Sequence, residues 1–86
     1  MARYRLRFKA SVRKDLRPIP AKDVARILHR IQELAEDPRP QDCEKLSGQP
    51  RYRVRQGVYR IVYEIIDQEL LIYVVKVAHR RRVYRN

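Results

Sequence analysis

The chain of 86 residues has one cysteine, two glycines and no tryptophan, and its longest uncharged apolar run, Leu70 to Val75, has six residues. Cys43 alone forms no intramolecular disulfide, and with two histidines it supplies too few soft ligands for a zinc site. Six apolar residues fall far short of the roughly 20 that span a bilayer, and the first residues lack the apolar stretch of a secretory signal. We therefore expect one cytoplasmic domain over residues 1–86, without membrane association, metal or cofactor.

Positive charge is what the chain has in excess. Lys and Arg number 21 against 10 Asp and Glu, the formal net charge is +11, and 16 of the 21 basic residues are arginine. A planar guanidinium binds phosphate through two parallel hydrogen bonds, whereas lysine acts as a point charge. With 44% hydrophobic residues the chain is not a disordered basic tail. The composition predicts a small folded domain that binds a polyanion.

The first half of the chain has the pattern of one strand and two helices. Residues 3–8 alternate between arginine and bulky apolar side chains, as in a half-buried strand. Ser11 is the expected N-cap of a short helix that Pro18 stops. From Ala21 to near Asp37 the apolar residues recur at the 3.6-residue spacing of an amphipathic helix.

The second half has the pattern of a loop followed by three strands. Residues 38–50 contain three of the five prolines and a glycine, which is typical of a loop. The segments after it are rich in Val, Ile and Tyr and are expected to form antiparallel strands at 51–55, 58–66 and 70–78. We therefore predict an α+β fold with a small, mostly antiparallel four-stranded sheet, two N-terminal helices packed on it, and the order β-α-α-β-β-β.

Arginines cluster about the hairpin turn predicted at residues 56–57. Arg53 and Arg55 share one face of the strand before the turn, and Arg60 follows shortly after it. The alternative for Arg60 is an ion pair with Glu64, which lies four residues further along the chain on the same face. Three like charges brought together repel each other, so the cluster indicates a site that an anion completes.

The C-terminal segment has four arginines in its last eight residues, together with His79 and Tyr84. Histidine is the side chain that titrates near neutrality, and a tyrosine ring stacks on a nucleic-acid base. The alternative is a solvated basic tail. With the hairpin arginines, the segment indicates a surface that binds RNA, and whether such a surface also cuts RNA is left open here.

Four segments resemble the successive motifs of the RelE toxins in the RelE/ParE superfamily. The resemblance covers nearly the whole chain in length and element order, and its specific part is the second half. The matching segments are Lys45-Leu46-Ser47-Gly48, Tyr52-Arg53-Val54-Arg55, Tyr59-Arg60-Ile61-Val62-Tyr63 and Val77-Ala78-His79-Arg80-Arg81-Arg82-Val83-Tyr84-Arg85.

The resemblance implies a ribosome-dependent endoribonuclease that cuts mRNA in the A site without a metal ion. The 2′-hydroxyl of the RNA attacks the adjacent phosphate, giving a 2′,3′-cyclic phosphate and a 5′-hydroxyl. It implies that Arg53 and Arg60 hold the phosphate, that Arg80 assists the leaving oxygen, and that Tyr84 stacks on a base or transfers a proton. Residues expected to contact RNA or the ribosome are Lys45, Arg51, Arg81, Arg82 and Arg85, and the N-terminal arginines are expected to face ribosomal RNA.

The group that takes the proton from the 2′-hydroxyl is left open. Relatives often have lysine where Arg55 stands, and arginine is a poor base because a guanidinium stays protonated at every physiological pH. Three routes remain: His79 accepts the proton, Tyr84 accepts it as a phenolate, or the site acts mainly by positioning and charge stabilisation. Of these we favour His79, because histidine is the side chain that ordinarily titrates near neutral pH.

Partners and rival functions follow from the same resemblance. It implies a cognate acidic antitoxin, similar to RelB, that wraps the toxin, and the net charge independently favours an acidic protein partner. One rival is a ParE-like toxin that inhibits DNA gyrase by binding it. Another is a non-catalytic RNA-binding module that uses the same arginines for phosphate contacts.

Overall fold

The computed structural model describes residues 3–79. One strand, two helices and then a series of strands follow each other along the chain, as the sequence pattern predicts. A single 3₁₀ turn, Asp67–Glu69, precedes the last strand. Among the described residues, no helix has the length and apolar character to cross a membrane. In chain order the elements are β1 (Arg5–Phe8), α1 (Ser11–Leu16), α2 (Ala21–Glu36), β2 (Glu44–Lys45), β3 (Arg51–Gln56), β4 (Tyr59–Ile66) and β5 (Leu71–His79).

The strands form one mixed sheet in the spatial order β1-β5-β4-β3-β2. β1 runs parallel to β5, and the other neighbours are antiparallel. The predicted α+β class is confirmed, but the count of four strands is wrong because Glu44 and Lys45 add a fifth. A two-residue strand is too short to show an alternation, so the proline-rich pattern of residues 38–50 concealed it.

The turn between β3 and β4 lies one residue later than predicted. Gln56 pairs with Tyr59, so the two turn residues are Gly57 and Val58. Gly57 has φ +61°, and a glycine with positive φ at the first turn position is the type II′ arrangement. The shift sets the register of the hairpin and therefore determines which arginines lie opposite each other.

The helices pack on one side of the sheet. Ser11 is the first residue of α1 and not its N-cap, because Ala10 already has helical angles and no side chain caps this helix. The start is held instead by a backbone bond from the Val12 N–H to the Lys9 carbonyl, 2.9 Å. α2 buries an apolar stripe at helical spacing, as predicted. The core cluster contains Val12, Ile27, Ile31, Leu34, Val54, Ile61, Tyr63, Ile72, Val74 and Val77.

The sheet therefore has two different faces. The face that packs on α1 and α2 is called the helix face, and it contains the strand residues of the core. The opposite face is called the arginine face, and it has seven basic and two acidic strand residues by the register of the pairs. Its basic members are Arg5, Arg7, Arg51, Arg53, Arg55, Arg60 and Lys76, and its acidic members are Glu44 and Glu64.

Candidate nucleic-acid interface

Residues that pair across neighbouring strands form rows on the arginine face, starting from the β3–β4 turn. Paired residues share a face, and residues two apart on one strand repeat about every 6.7 Å. The first row is Arg55, Arg60 and Ala78; the second is Glu44, Arg53, Val62 and Lys76; the third is Arg51, Glu64, Tyr73 and Arg7.

The structure brings the three predicted hairpin arginines together. Arg55 and Arg60 are direct cross-strand partners, and Arg53 lies in the adjacent row. Arg60 is only 4% exposed, whereas Arg55 is exposed and Arg53 is half-buried. A buried charged side chain is uncommon and needs compensating interactions. The cluster thus combines one buried guanidinium with two that solvent or a ligand reaches.

Glu44 belongs to this cluster, and the sequence reasoning missed it. The Glu44 carboxylate accepts hydrogen bonds from Arg53 Nη2 at 2.7 Å and Arg53 Nε at 3.2 Å. The hydrogen bond and charge of Arg53, with the charges of Arg55 and Arg60, hold the pKa of Glu44 below its ordinary value. A signal existed in the motif itself, since Glu44 immediately precedes Lys45. The carboxylate shows that the cluster already attracts an anion.

Lys76 is a fourth cation beside the cluster and was also missed. It pairs with Val62, which pairs on its other side with Arg53, so Lys76 and Arg53 flank Val62 on the arginine face. A β-bulge places Lys76 there, because the register of β5 shifts between the partners of Val62 and Tyr63. An inserted residue reverses the alternation of all residues that follow it. Val62 is 5% exposed and forms an apolar floor between the two cations.

Two other predicted residues lie on the opposite side of the sheet. His79 pairs with Tyr59, and the two rings meet edge to face with centroids 6.0 Å apart. Lys45 pairs with Tyr52 and is exposed. The structure does not bring these two residues to the hairpin arginines.

Of the remaining predicted residues, one lies in the described part of the chain and five lie outside it. Arg51 lies in the third row, where its Nε donates to Glu64 Oε2 at 3.0 Å. Within residues 3–79, no three His, Cys, Asp or Glu side chains group as a metal site would require. Five predicted residues lie outside the described part of the chain, and they are Arg80, Arg81, Arg82, Tyr84 and Arg85.

Several contacts fix the segment that leads from α2 into β2. The buried Tyr63 hydroxyl donates to the Pro38 carbonyl at 2.7 Å. Arg39 Nη2 donates to Asp67 Oδ2 at 2.9 Å, and the Arg39 guanidinium lies 5.4 Å from the Tyr52 ring centroid. These contacts tie the loop to the sheet, and β2 follows it directly. The position of Glu44 beside Arg53 is therefore set by the anchored loop before β2 and by the pairing of β2 with β3.

This arrangement is suited to binding a phosphodiester. Guanidinium groups match phosphate oxygens in geometry and remain charged at all physiological pH values. Several cations that converge on one position stabilise the negative charge that develops when a phosphate is attacked.

Comparisons with known proteins match the chain over most of its length. A family model described as the ParE toxin of the type II toxin–antitoxin system parDE matches residues 6–84. The toxin RelG of Mycobacterium tuberculosis is 30% identical over 87 residues, which cover 95% of this chain and 97% of RelG. The mRNA interferase toxin RelE of Escherichia coli is 29% identical over 82 residues, 92% of this chain and 85% of that toxin.

A solved structure agrees in fold as well. The RelE–RelB complex of Pyrococcus horikoshii superimposes with a TM-score of 0.81 at 31% identity, over 95% of this chain and 99% of the matched chain. Length and fold therefore agree with these toxins. The chain belongs to the RelE/ParE family of toxins of type II toxin–antitoxin systems.

Proposed function

We propose that this toxin is an endoribonuclease that cuts mRNA in the ribosomal A site and so stops translation in the cytoplasm. The observation that carries the proposal is the convergence of Arg53, Arg55, Arg60 and Lys76 around the buried Val62. The curated name of the Escherichia coli relative, mRNA interferase toxin, supports the same substrate class.

The proposed chemistry is transesterification by the RNA itself. The 2′-hydroxyl oxygen bonds to the adjacent phosphorus while the bond to the 5′-oxygen breaks, leaving a 2′,3′-cyclic phosphate and a 5′-hydroxyl. On attack the proton of the 2′-hydroxyl passes to a side-chain base or to water, and the leaving 5′-oxygen takes up a proton from a side-chain acid or from water. Arg53 and Arg60 bind the non-bridging oxygens, whose negative charge increases in the transition state. In this scheme guanidinium groups supply the positive charge.

The position of the His79 ring helps to decide which group accepts the proton of the 2′-hydroxyl. The His79 ring contacts Tyr59 on the helix face, so it does not face the phosphate position proposed above. Tyr84, like Arg80, lies outside the described residues, and their roles stay proposals from the family resemblance. The described residues therefore argue against His79 and leave two routes, in which Tyr84 accepts the proton or the site positions the 2′-hydroxyl and stabilises charge.

The partner we propose is an acidic antitoxin. The Pyrococcus horikoshii relative was solved with RelB, and this chain has a net charge of +11. An apolar groove lies between the end of β1 and the two helices, where Phe8 is 43% exposed and Leu28 is 36% exposed. Such a groove with a basic rim fits an amphipathic acidic segment. The basic residues that line it are Lys9, Arg13 and Arg17.

The decisive experiment adds the purified toxin to programmed ribosomes and maps mRNA ends by primer extension. We expect breaks in the A-site codon, and a loss of about 10²–10³-fold in cleavage rate for Arg60→Ala. Arg53→Ala tests the same site with a less buried side chain. Lys22→Ala on α2 removes an exposed positive charge away from the arginine face and the groove, and it serves as the matched control.

A second function has a specific observation behind it, because the matching family model is named for ParE. A gyrase inhibitor of this fold leaves mRNA intact and blocks DNA supercoiling. Intact mRNA with lost supercoiling would refute the nuclease and establish the gyrase inhibitor. Intact mRNA with RNA still bound would establish the non-catalytic module.

A further inference from the structure

The third row of the arginine face contains an aromatic ring with a basic residue on one side and an acid–base pair on the other. Tyr73 on β5 pairs with Arg7 of β1 on one side and with Glu64 of β4 on the other. Arg51 of β3 completes the row through its hydrogen bond to Glu64. Tyr73 is half-buried and Arg7 is exposed.

The location of this ring is unusual within the chain. The other aromatic side chains on the strands lie on the helix face, where Tyr52, Tyr59 and Tyr63 contact the core. Among residues 3–79, Tyr73 is the one aromatic residue on the arginine face. An aromatic ring exposed on a basic sheet surface is the arrangement by which sheet-based RNA-binding domains stack bases.

The charges beside the ring favour a phosphate on its Arg7 side. Arg7 forms no ion pair with any residue in the described range 3–79. Arg51 is partly neutralised by Glu64 at 3.0 Å, so it contributes less attraction. A phosphate next to the ring is therefore expected to contact Arg7 first, with Arg51 steadying the other side.

The distance from the hairpin cluster fits one nucleotide step. Glu64 lies two residues from Val62 on β4, which separates the second and third rows by about 6.7 Å. Tyr73 lies on the neighbouring strand, diagonally from Val62 and about 7–8 Å away, so an extended single strand that places a phosphate over Val62 brings its next nucleotide over Tyr73. The spacing of the rows is therefore similar to the spacing of successive nucleotides in an extended strand.

We propose that Arg7, Tyr73 and Arg51 form a nucleotide subsite, in which the Tyr73 ring stacks on the base next to the scissile phosphate. Its place relative to cleavage rests on the proposed nuclease function, but its occupation by RNA does not. Because every base has a π-face, this subsite binds single-stranded RNA with little base preference. Its role is to hold the strand in line while the hairpin arginines hold the phosphate.

The absence of tryptophan from the chain allows a direct test. Tyr73→Trp introduces a unique fluorophore at the subsite, and Phe8→Trp introduces one on the helix face as the control. Each variant is titrated at low salt with a 2′-O-methyl RNA hexamer, which cannot be cleaved by its own 2′-hydroxyl. We expect stacking to quench the Tyr73→Trp fluorescence and to leave Phe8→Trp unchanged. Equal quenching of both, or of neither, overturns the subsite.

A second set of variants tests how much the Tyr73 ring contributes to the affinity for a fluorescein-labelled RNA hexamer. Tyr73→Leu keeps an apolar side chain but removes the π-face, and we expect about tenfold weaker binding. Tyr73→Phe keeps the ring and is expected to bind like the wild type. Wild-type affinity for Tyr73→Leu, or no binding of the hexamer to any form, contradicts the proposal. Thermal unfolding of each variant shows whether a loss of RNA affinity is caused by a loss of the fold.

The two proposals fail in different ways. If Arg60→Ala abolishes cleavage and Tyr73→Leu binds RNA normally, the nuclease stands and the subsite is wrong. If Tyr73→Trp is quenched by RNA and no mRNA is cut on ribosomes, the subsite stands and the nuclease is wrong.

Discussion

Replacing Glu44 with Gln removes the carboxylate that holds Arg53 while leaving a side chain of the same size. In the wild type, Arg53 donates to one Glu44 oxygen from both Nη2 and Nε, at 2.7 and 3.2 Å. A phosphate that binds Arg53 must displace or share that carboxylate. We therefore expect Glu44→Gln to bind single-stranded RNA more tightly at low salt, and to lose that advantage as salt rises.

The magnitude follows from counterion release. One further cation that contacts phosphate makes the slope of log affinity against log salt steeper by about 0.7 for a single strand. Between about 50 and 200 mM salt, this slope costs the variant about 2.5-fold more affinity than the wild type loses. Arg53 lowers the pKa of Glu44 more than Arg55 and Arg60 do, so Arg53 is the cation that the change releases.

The assay is fluorescence anisotropy with the labelled RNA hexamer over a series of salt concentrations. Glu33→Gln on α2 is the matched control, because the side chains of Glu33 and Glu44 are each 54% exposed and the change in net charge is the same. We expect Glu33→Gln to keep the wild-type slope. An unchanged slope for Glu44→Gln, or the same change in both variants, would show that Glu44 does not compete with phosphate for Arg53.

Two further predictions concern Lys76 and the segment before β2. Lys76→Ala should make the salt slope of RNA binding shallower by about 0.7, because Lys76 flanks Val62 beside the phosphate position, while Lys22→Ala on α2 should keep the wild-type slope. Tyr63→Phe should lower the free energy of unfolding by about 1 kcal/mol in urea titrations, because the buried hydroxyl loses its bond to the Pro38 carbonyl; an unchanged midpoint would contradict this role.

Much of the fold was predictable because strong local patterns determine it. The apolar stripe of α2 and the alternation in β3 gave the correct elements to within about a residue. The meeting of Arg55 and Arg60 was predictable because a short hairpin brings residues on its two sides together. The turn was displaced by one residue because the sequence does not show whether Gly57 occupies the first or second turn position.

Other parts of the site depend on contacts between residues distant in the chain. Glu44 reaches Arg53 only because β2 adds to the sheet edge, and the loop before it is fixed by bonds from Tyr63 and Arg39. None of these contacts leaves a periodic signal in residues 38–50. Tyr73 was overlooked for a related reason, since an apolar run such as Leu70 to Val75 does not indicate which ring faces which side.

The bulge in β5 explains why Lys76 lies on the arginine face and His79 on the helix face, which is the reverse of what regular alternation predicts. Ile72 and Val74 lie in the core, so uninterrupted alternation would continue with Lys76 on the helix face and His79 on the arginine face. The register shift instead returns Val77 to the core, which sends Lys76 to the arginine face and His79 toward Tyr59. Val77 is 2% exposed, so slipping the strand back by one residue would replace it in the core with a lysine. The burial of Val77 therefore fixes a lysine, rather than a histidine, beside the phosphate position proposed for this toxin.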